Sequence, residues 1–294
     1  MSAPTRFDIS ARQWLTWKPP GAGITLTGYS RANDKTFFHV PELRCGLDAG
    51  LVEGRQPETV FLTHAHADHA ADLAYLAARA GGVDVYVPAV MLPRVTDFLR
   101  ASYALNNAHD VETLPGVRLH GVAGGDSFVF GRRGGHAVRV VDCVHKVPCV
   151  GYAFSSVGRA LLPEYEELRT RVTPAEFGRL LKERRAAGDE VDRELRRPMF
   201  AFLGDTGPRV FDAAPWLLDY PVIVMECTYL DDALATRAEE VGHVVWSGLR
   251  PIVEANPSTL FVLTHFSLRH TDAEVMRFFE REAVPNVVPW AIVP

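Results

Sequence analysis

The sequence predicts an α/β fold in which two β-sheets pack together with helices on their outer faces. Three observations carry that prediction. Short β-branched or apolar runs of strand length recur along the chain. Helix-period segments are interleaved with them in both halves, which is the pattern of sheets covered by helices. Apolar residues make up 47% of the 294, enough for a sizeable core.

The elements follow in order. Ile24 to Thr27, Thr36 to Val40 and Arg44 to Leu47 read as short strands separated by Gly, Asn, Asp and Pro. Thr59 to Thr63 is an apolar run typical of a buried strand. Asp68 can cap a helix that continues through Leu73, Leu76 and Ala77. Val83 to Val87 is the next strand and Met91 to Ala104 the next helix. Strands return at Val117 to Val122, Ser127 to Phe130, Ala137 to Val141 and Val150 to Phe154. From Gly158 to Pro198 the composition shifts to closely spaced, nearly balanced charges. Within it, Thr173-Pro174-Ala175-Glu176 has the pattern of a helix start. This reads as a charged, partly helical surface insertion at about 158–198 in one domain spanning 1–294. Beyond it come a strand at Met199 to Leu203, a helix near Ala213 to Leu218 and a strand at Val222 to Met225. A helix after Gly242, a strand at Leu260 to Leu263, a helix from Asp272 and a closing strand near Val287 to Ile292 complete the chain.

Bulk properties exclude several classes. A net charge of −5 argues against a generally basic nucleic-acid-coating protein, although it leaves room for a local basic strip. Four scattered cysteines do not make a disulfide framework, and reduced thiols fit a cytoplasmic protein. The first eight residues lack an apolar signal region, and no run has the length to span a bilayer.

The chemistry concentrates just past the buried strand at Thr59. His64, His66, Asp68 and His69 fall within six residues, and imidazole nitrogen with carboxylate oxygen suits zinc, iron or manganese. The period of two along a strand end points His64 and His66 the same way, while Asp68 and His69 reach a second, adjacent point. Four residues cannot fill two coordination shells, so further ligands must come later. His145, Asp205 and His265 each follow an apolar strand-like run, where an unpaired polar side chain would be costly. A carboxylate such as Asp205 can bridge two cations. Cys143 and Cys149 flank His145 but lack a clear fourth partner for a zinc knuckle, and they read as small apolar residues. His39, His109, His120, His136 and His270 read as structural or exposed.

Taken together, His-x-His-x-Asp-His, His145, Gly-Asp205-Thr and Thr-His265 resemble the metallo-β-lactamase superfamily. Leu47-Asp48-Ala49-Gly50 looks like that fold's Asp-x-Gly turn. More narrowly, Met225-Glu226-Cys227-Thr228-Tyr229-Leu230, Gly242-His243 and His265-Phe266-Ser267-Leu268-Arg269 resemble motifs of ribonuclease Z, short form. The resemblance spans roughly Gly21 to Ile292, apart from the insertion. It implies a four-layer αββα sandwich and two Zn2+ ions, with Mn2+ or Fe as alternatives. His64, His66, His145 and Asp205 would hold one ion; Asp68, His69, Asp205 and His265 would hold the other. It further implies that Asp68, Glu226 and His243 are catalytic and that Ser267 and Arg269 bind substrate phosphate. The implied activity is removal of the 3′ trailer from precursor tRNA by a homodimer. Two departures stand out: Val244-Val245-Trp246 follows His243, and the insertion lacks the Gly-Pro pair and basic bias of the bacterial tRNA-gripping arm. A small-molecule hydrolase on the same fold, acting on a cyclic nucleotide or other phosphodiester, a lactone or a thioester, is therefore the alternative. A non-enzymatic scaffold is a third reading, which the intact set of seven candidate ligands opposes.

Overall fold

Alternation along single strands shows how the layers are built. The computed structural model describes residues 14–79, 81–131 and 134–292. The N-terminal residues read above as lacking a signal region lie outside them. Among the described residues the first sheet runs β1 (Leu15–Trp17), β2 (Leu26–Ala32), β3 (Lys35–Val40), β4 (Cys45–Leu47), β5 (Thr59–Phe61), β6 (Val83–Pro88) and β7 (Val117–Val122) in spatial order. The second runs from β8 (Ser127–Phe130) through β9 (His136–Asp142), β10 (Val150–Leu161), β11 (Asp192–Phe202), β12 (Val222–Glu226) and β13 (Leu260–Thr264). A two-residue strand, β14 (Phe266–Ser267), leaves the second half of the chain to pair with β2, and β15 (Val287–Pro289) closes the second sheet beside β13.

Successive residues on these strands enter different cores, as the period of two requires. Phe38 and Phe61 face inward and meet Tyr152, Phe154, Phe200 and Phe202 of the opposite sheet. Their neighbours Phe37 and Val60 face outward and pack with Leu73 and Leu76 of α2 (Leu73–Ala77) and Val95 and Leu99 of α3 (Leu92–Asn107). On the second sheet, Val222 and Val224 join the central core. Ile223 and Met225 instead pack with Leu249 and Val253 of α8 (Trp246–Ala255) and Val275 and Phe279 of α9 (Asp272–Glu282). The result is the four-layer αββα sandwich.

Several boundaries differ from the sequence reading. Asp68 does not cap a helix. His66 occupies the N-cap of the short α1 (Ala67–Ala70), and Asp68 lies inside its first turn with its carboxylate turned toward His69 and His265. The helix near Ala213 is the single turn α6 (Val210–Ala213) followed by a 3-10 turn; a further helix, α7 (Ala235–Val241), precedes Gly242, and α8 follows it as the sequence predicts. The insertion is not set off from the sheet. β10 and β11 run on into it as a paired ribbon as far as Leu161 and Asp192, with an irregularity at Phe154/Ser155. Its tip carries α4 (Pro163–Arg169) and α5 (Pro174–Ala186), and Thr173 with Glu176 forms a capping box at the start of α5. Composition hid the ribbon because its outer residues are solvated on both faces, so no apolar alternation marks them.

β4 through β7 are parallel, as are β11, β12, β13 and β15, while β9 and β11 both pair antiparallel with β10. The C-terminal ends of β4, β5, β9, β11, β12 and β13 therefore open onto one edge of the sandwich, where α/β sheets present loops rather than side-chain ladders.

Candidate metal centre

Each chemistry-bearing residue follows one of those strand ends. Asp48 follows β4, His64 to His69 follow β5, and His145 lies in the loop between β9 and β10. Asp205 follows β11, Glu226 ends β12, and His265 follows β13. His64, His66, His145 and Asp205 place one ligand-type atom each within 4.8 Å of one another. Asp68, His69 and His265 do the same beside them, and so do Asp205, His243 and His265. The structure thus brings together all seven residues singled out as candidate ligands. It adds His243 to their neighbourhood.

The imidazoles are oriented from behind. His69 Nδ1 donates to Asp48 Oδ2 at 2.7 Å, and His145 Nδ1 donates to the Gly242 carbonyl at 2.9 Å. The Thr63 hydroxyl donates to Asp48 Oδ1 at 2.9 Å, which leaves its oxygen to accept from His64 Nδ1 at 3.0 Å. The Thr228 hydroxyl donates to Glu226 Oε2 at 2.5 Å and accepts from His265 Nδ1 at 3.1 Å. In a neutral ring one nitrogen carries the proton and the other offers a lone pair. In the neutral form all four rings therefore offer Nε2; burial lowers the His69 pKa, but Asp205 and Asp48 outweigh it and raise it well above the ordinary value, so there a cation would displace the proton. The Nε2 atoms converge: His69 Nε2 is 3.2 Å from His265 Nε2, and His64 Nε2 is 3.0 Å from His66 Nδ1, which is 3.5 Å from His145 Nε2. Zinc–nitrogen bonds near 2.0–2.1 Å in a tetrahedron would put two ligand nitrogens about 3.4 Å apart. Burial pushes the His64 imidazole well below its ordinary pKa, holding it in the neutral form that binds metal.

Asp205 sits between the two groups. Its Oδ1 is 3.5 Å from His69 Nε2 and 3.5 Å from His265 Nδ1, and its Oδ2 is 3.7 Å from His64 Nε2. Among the described residues, Asp205 Oδ1 is the buried side-chain oxygen left without a hydrogen-bond partner. Burial pushes this carboxyl up, but His265 and His69 outweigh it and hold it well below the usual carboxylate range. An orphaned, buried, ionised oxygen between converging imidazoles calls for a cation. The donor set therefore fits metal ions.

Close approaches around the centre need glycine at two positions. A Cβ on Gly50 would lie 1.8 Å from the Asp68 carbonyl oxygen. One on Gly242, at φ +71°, would lie 2.8 Å from the His145 Cα. Backbone strain also gathers here: Asp48 and His265 both have left-handed φ, +59° and +58°.

His243, in the link between α7 and α8, donates from Nδ1 to Glu226 Oε1 at 2.7 Å. Glu226 is fully buried and also accepts from the backbone N–H groups of Thr206 and Val244. Burial lowers the His243 pKa, but Glu226 outweighs it and raises the ring to about 9. Ser267 is half-buried and Arg269 exposed, and the Arg269 N–H donates to Ser267 Oγ at 3.3 Å. Among the described residues, neither side chain forms a hydrogen bond or ion pair with the cluster. Cys149 donates to the Asp205 carbonyl and Cys143 to that of Leu203, so both thiols pack beside the site as small, weakly polar groups. The sequence places Asp48 in an Asp-x-Gly turn and Thr228 in the motif with Glu226, but it assigns neither of them, nor Thr63, a task at the site; orienting His69, His265 and His64 appears only in the fold.

Residues 45–162 match the family model described as a β-lactamase superfamily domain. The chain is 29% identical over 274 residues to the chloroplastic tRNase Z TRZ2 of Arabidopsis thaliana, covering 88% of this chain and 70% of that one. It is 26% identical over 259 residues to tRNase Z TRZ1 of the same plant, covering 86% and 89%. The metallo-β-lactamase fold protein YhfI of Bacillus subtilis superposes with a TM-score of 0.56 at 12% identity, over 90% of this chain and 91% of that one. Over residues 45–162 the chain is thus similar to the β-lactamase superfamily, and over most of its length it is similar to proteins named tRNase Z.

Proposed function

We propose that the protein is a dinuclear, zinc-dependent phosphodiesterase of the ribonuclease Z type that removes the 3′ trailer from tRNA precursors. His64, His66, His145 and Asp205 would hold one ion, and Asp68, His69, Asp205 and His265 the other. Bound cations would supply Lewis acidity, lowering the pKa of a shared water and neutralising phosphate charge. Asp68, the partly exposed carboxylate of the set, accepts a hydrogen bond from the attacking water and aligns it. His243, protonated through its pairing with Glu226, gives a proton to the leaving oxygen. Ser267 and Arg269 receive the non-bridging phosphate oxygens.

The Glu226–His243 pair carries this reading. A metal centre alone serves acyl and phosphoryl transfer alike, whereas a buried carboxylate holding an imidazole protonated at the cluster's edge is a proton donor. The relatives named tRNase Z support the choice of substrate, and a homodimer in the cytoplasm belongs to the same proposal. The test is incubation of the zinc-loaded protein with a precursor tRNA carrying a 3′ trailer. A single cut releasing the trailer, lost in Asp68→Ala, is expected; an intact precursor alongside rapid turnover of bis(p-nitrophenyl) phosphate removes tRNA from the proposal.

One observation favours a small-molecule diester instead. The ribbon and tip that would meet RNA neutralise most of their own arginines. Arg159 and Arg185 pair with Asp192, Arg171 with Glu167, Arg184 with Asp189 and Arg196 with Glu194. Phosphate-backbone binding draws on uncompensated cations. Comparing kcat/KM on precursor tRNA, a cyclic nucleotide, a lactone and a thioester separates the readings.

A further inference from the structure

The connection from His265 to α9 is held by one buried side chain from the far end of the sequence. Arg31, on β2, is 7% exposed. Its Nε donates to the Phe266 carbonyl at 3.0 Å and its Nη2 to the Ser267 carbonyl at 2.9 Å. Nη2 also donates to the His270 carbonyl, and Nη1 pairs with Asp272, whose other oxygen accepts from the Ile292 N–H at 3.0 Å. The whole segment 266–272 thus closes around one guanidinium, and β14 pairs with β2 at the same place. Beyond Ala32 the chain turns, and the Asn33 N–H donates to Asp68 Oδ2 at 3.2 Å. The β2–β3 hairpin therefore touches both Asp68 and the segment beginning at His265, the two members of the second group that are most distant in sequence. His265 itself keeps a left-handed φ of +58°, a conformation that persists only where the surroundings over-determine it.

We infer that Arg31 is a positioning residue for His265, and through it for one of the two metal positions. The inference rests on the proposed metal-centre reading. A planar fork with five donors can bind three carbonyls and a carboxylate at once, which a lysine cannot. Without the fork, three carbonyls lose their shared donor, and the strained residue keeps only its contact with the Thr228 hydroxyl and the hydrogen bond from the Ser267 N–H to the Thr228 carbonyl. The other group, His64, His66 and His145, keeps its own supports in the Thr63 hydroxyl and the Gly242 carbonyl.

The test uses the full chain with Arg31→Met, Arg31→Lys and Asp272→Asn, read three ways. In metal-free protein, amide exchange across 266–271 speeds up in Arg31→Met while the central strands stay as protected as in the unaltered chain. In a cobalt titration of metal-free protein, one of two equivalents weakens by roughly 10- to 100-fold, the usual effect of losing an outer partner. The other equivalent is unchanged, and Arg31→Lys does not restore the lost affinity. Two equivalents bound as in the unaltered chain overturn the inference, and so does equal weakening of both, which would mark Arg31 as a general stabiliser. If Arg31→Met does not fold, Asp272→Asn, which keeps the size and removes the clamp's charge, is read against the same outcomes. If the unaltered chain takes up no cobalt, the metal-centre reading falls, and the exchange measurement still decides whether Arg31 orders the segment.

Discussion

Replacing Asp48 by asparagine isolates what an outer carboxylate does for the metal centre. Asp48 is fully buried and accepts three hydrogen bonds: from the Thr63 N–H at 2.8 Å, the Thr63 hydroxyl at 2.9 Å and His69 Nδ1 at 2.7 Å. An asparagine can present its oxygen to both Thr63 donors, so the turn after β4 survives. Its amide nitrogen then faces His69 Nδ1, donor against donor. The ring must move its proton to Nε2, the atom aimed at His265, or give up the contact. One hydrogen bond to a charged group is worth about 1.5–3 kcal/mol. At about 1.4 kcal/mol per tenfold, the ion held by His69 should bind roughly 10- to 150-fold more weakly. Competition against a chromophoric chelator measures this directly, and excess zinc should return much of the activity. If Asp48→Asn binds both equivalents within about twofold of the unaltered chain, the orienting role assigned to Asp48 is wrong. Asp48→Ala would not serve, because it also strands two buried donors of Thr63 and opens a void, losses that reach about 3–5 kcal/mol in fold stability.

Three further outcomes follow from the same geometry. If His243 acts protonated, as proposed, its pKa of about 9 means that activity should fall as pH rises through a limb at or below that value, since bound cations push the ring's titration down. Glu226→Gln should move that limb to lower pH in a pH–rate profile; an unmoved limb would detach it from His243. Gly50→Ala forces a Cβ to within 1.8 Å of the Asp68 carbonyl, so the turn or α1 must shift; normal zinc content and melting temperature would contradict that. Replacing residues 162–191 by a two-residue Asn-Gly turn continues the pairing of Leu161 with Asp192. Hydrolysis of bis(p-nitrophenyl) phosphate should then stay within about twofold, while KM for precursor tRNA rises if the tip meets RNA. An unchanged KM would assign the tip another task.

Much of the centre was legible because its residues are local or punctuate strand ends. His64, His66, Asp68 and His69 announce themselves by spacing, and His145, Asp205 and His265 by following apolar runs. The partners behind them were not legible. Thr63 and Thr228 are common residues at unremarkable positions, and their task appears only when Asp48 and His265 fold against them. Arg31 is still harder to see, because its acceptors are backbone carbonyls more than two hundred residues away, which leave no trace in residue identity. The same limit explains the insertion. Its helix start was readable from Thr173 to Glu176, but the ribbon of β10 and β11 is held by main-chain pairing and carries charged side chains on both faces. Asp68 was misplaced as a cap for a related reason: an aspartate before a helix fits both an N-cap and a ligand. Local pattern cannot weigh the pull of His265, which arrives from the other end of the chain.

What the Glu226–His243 pair does can be tested by varying the leaving group rather than the enzyme alone. A departing ribose oxygen would otherwise leave as a strongly basic alkoxide, so a proton donor contributes heavily to its departure. General acid catalysis of this kind is worth about 10²- to 10⁴-fold. A p-nitrophenolate leaves as a stable anion and gains little from the same proton. A thiolate, whose conjugate acid has a pKa near 8.5, also gains less than an alkoxide. His243→Ala should therefore cost most of its factor on an RNA or alkyl diester and only a few-fold on bis(p-nitrophenyl) phosphate, with zinc content unchanged in both assays. The zinc measurement matters because His243 also lies beside Asp205 and His265 in a grouping that could hold an ion. Equal losses on both substrates, with zinc lost as well, would make His243 a ligand. Equal losses with zinc retained would leave the pair a task in substrate binding. Only a penalty that grows with the basicity of the leaving oxygen makes Glu226 and His243 the acid of a phosphodiesterase, and that same dependence would count against acyl transfer as the reaction this centre evolved to perform.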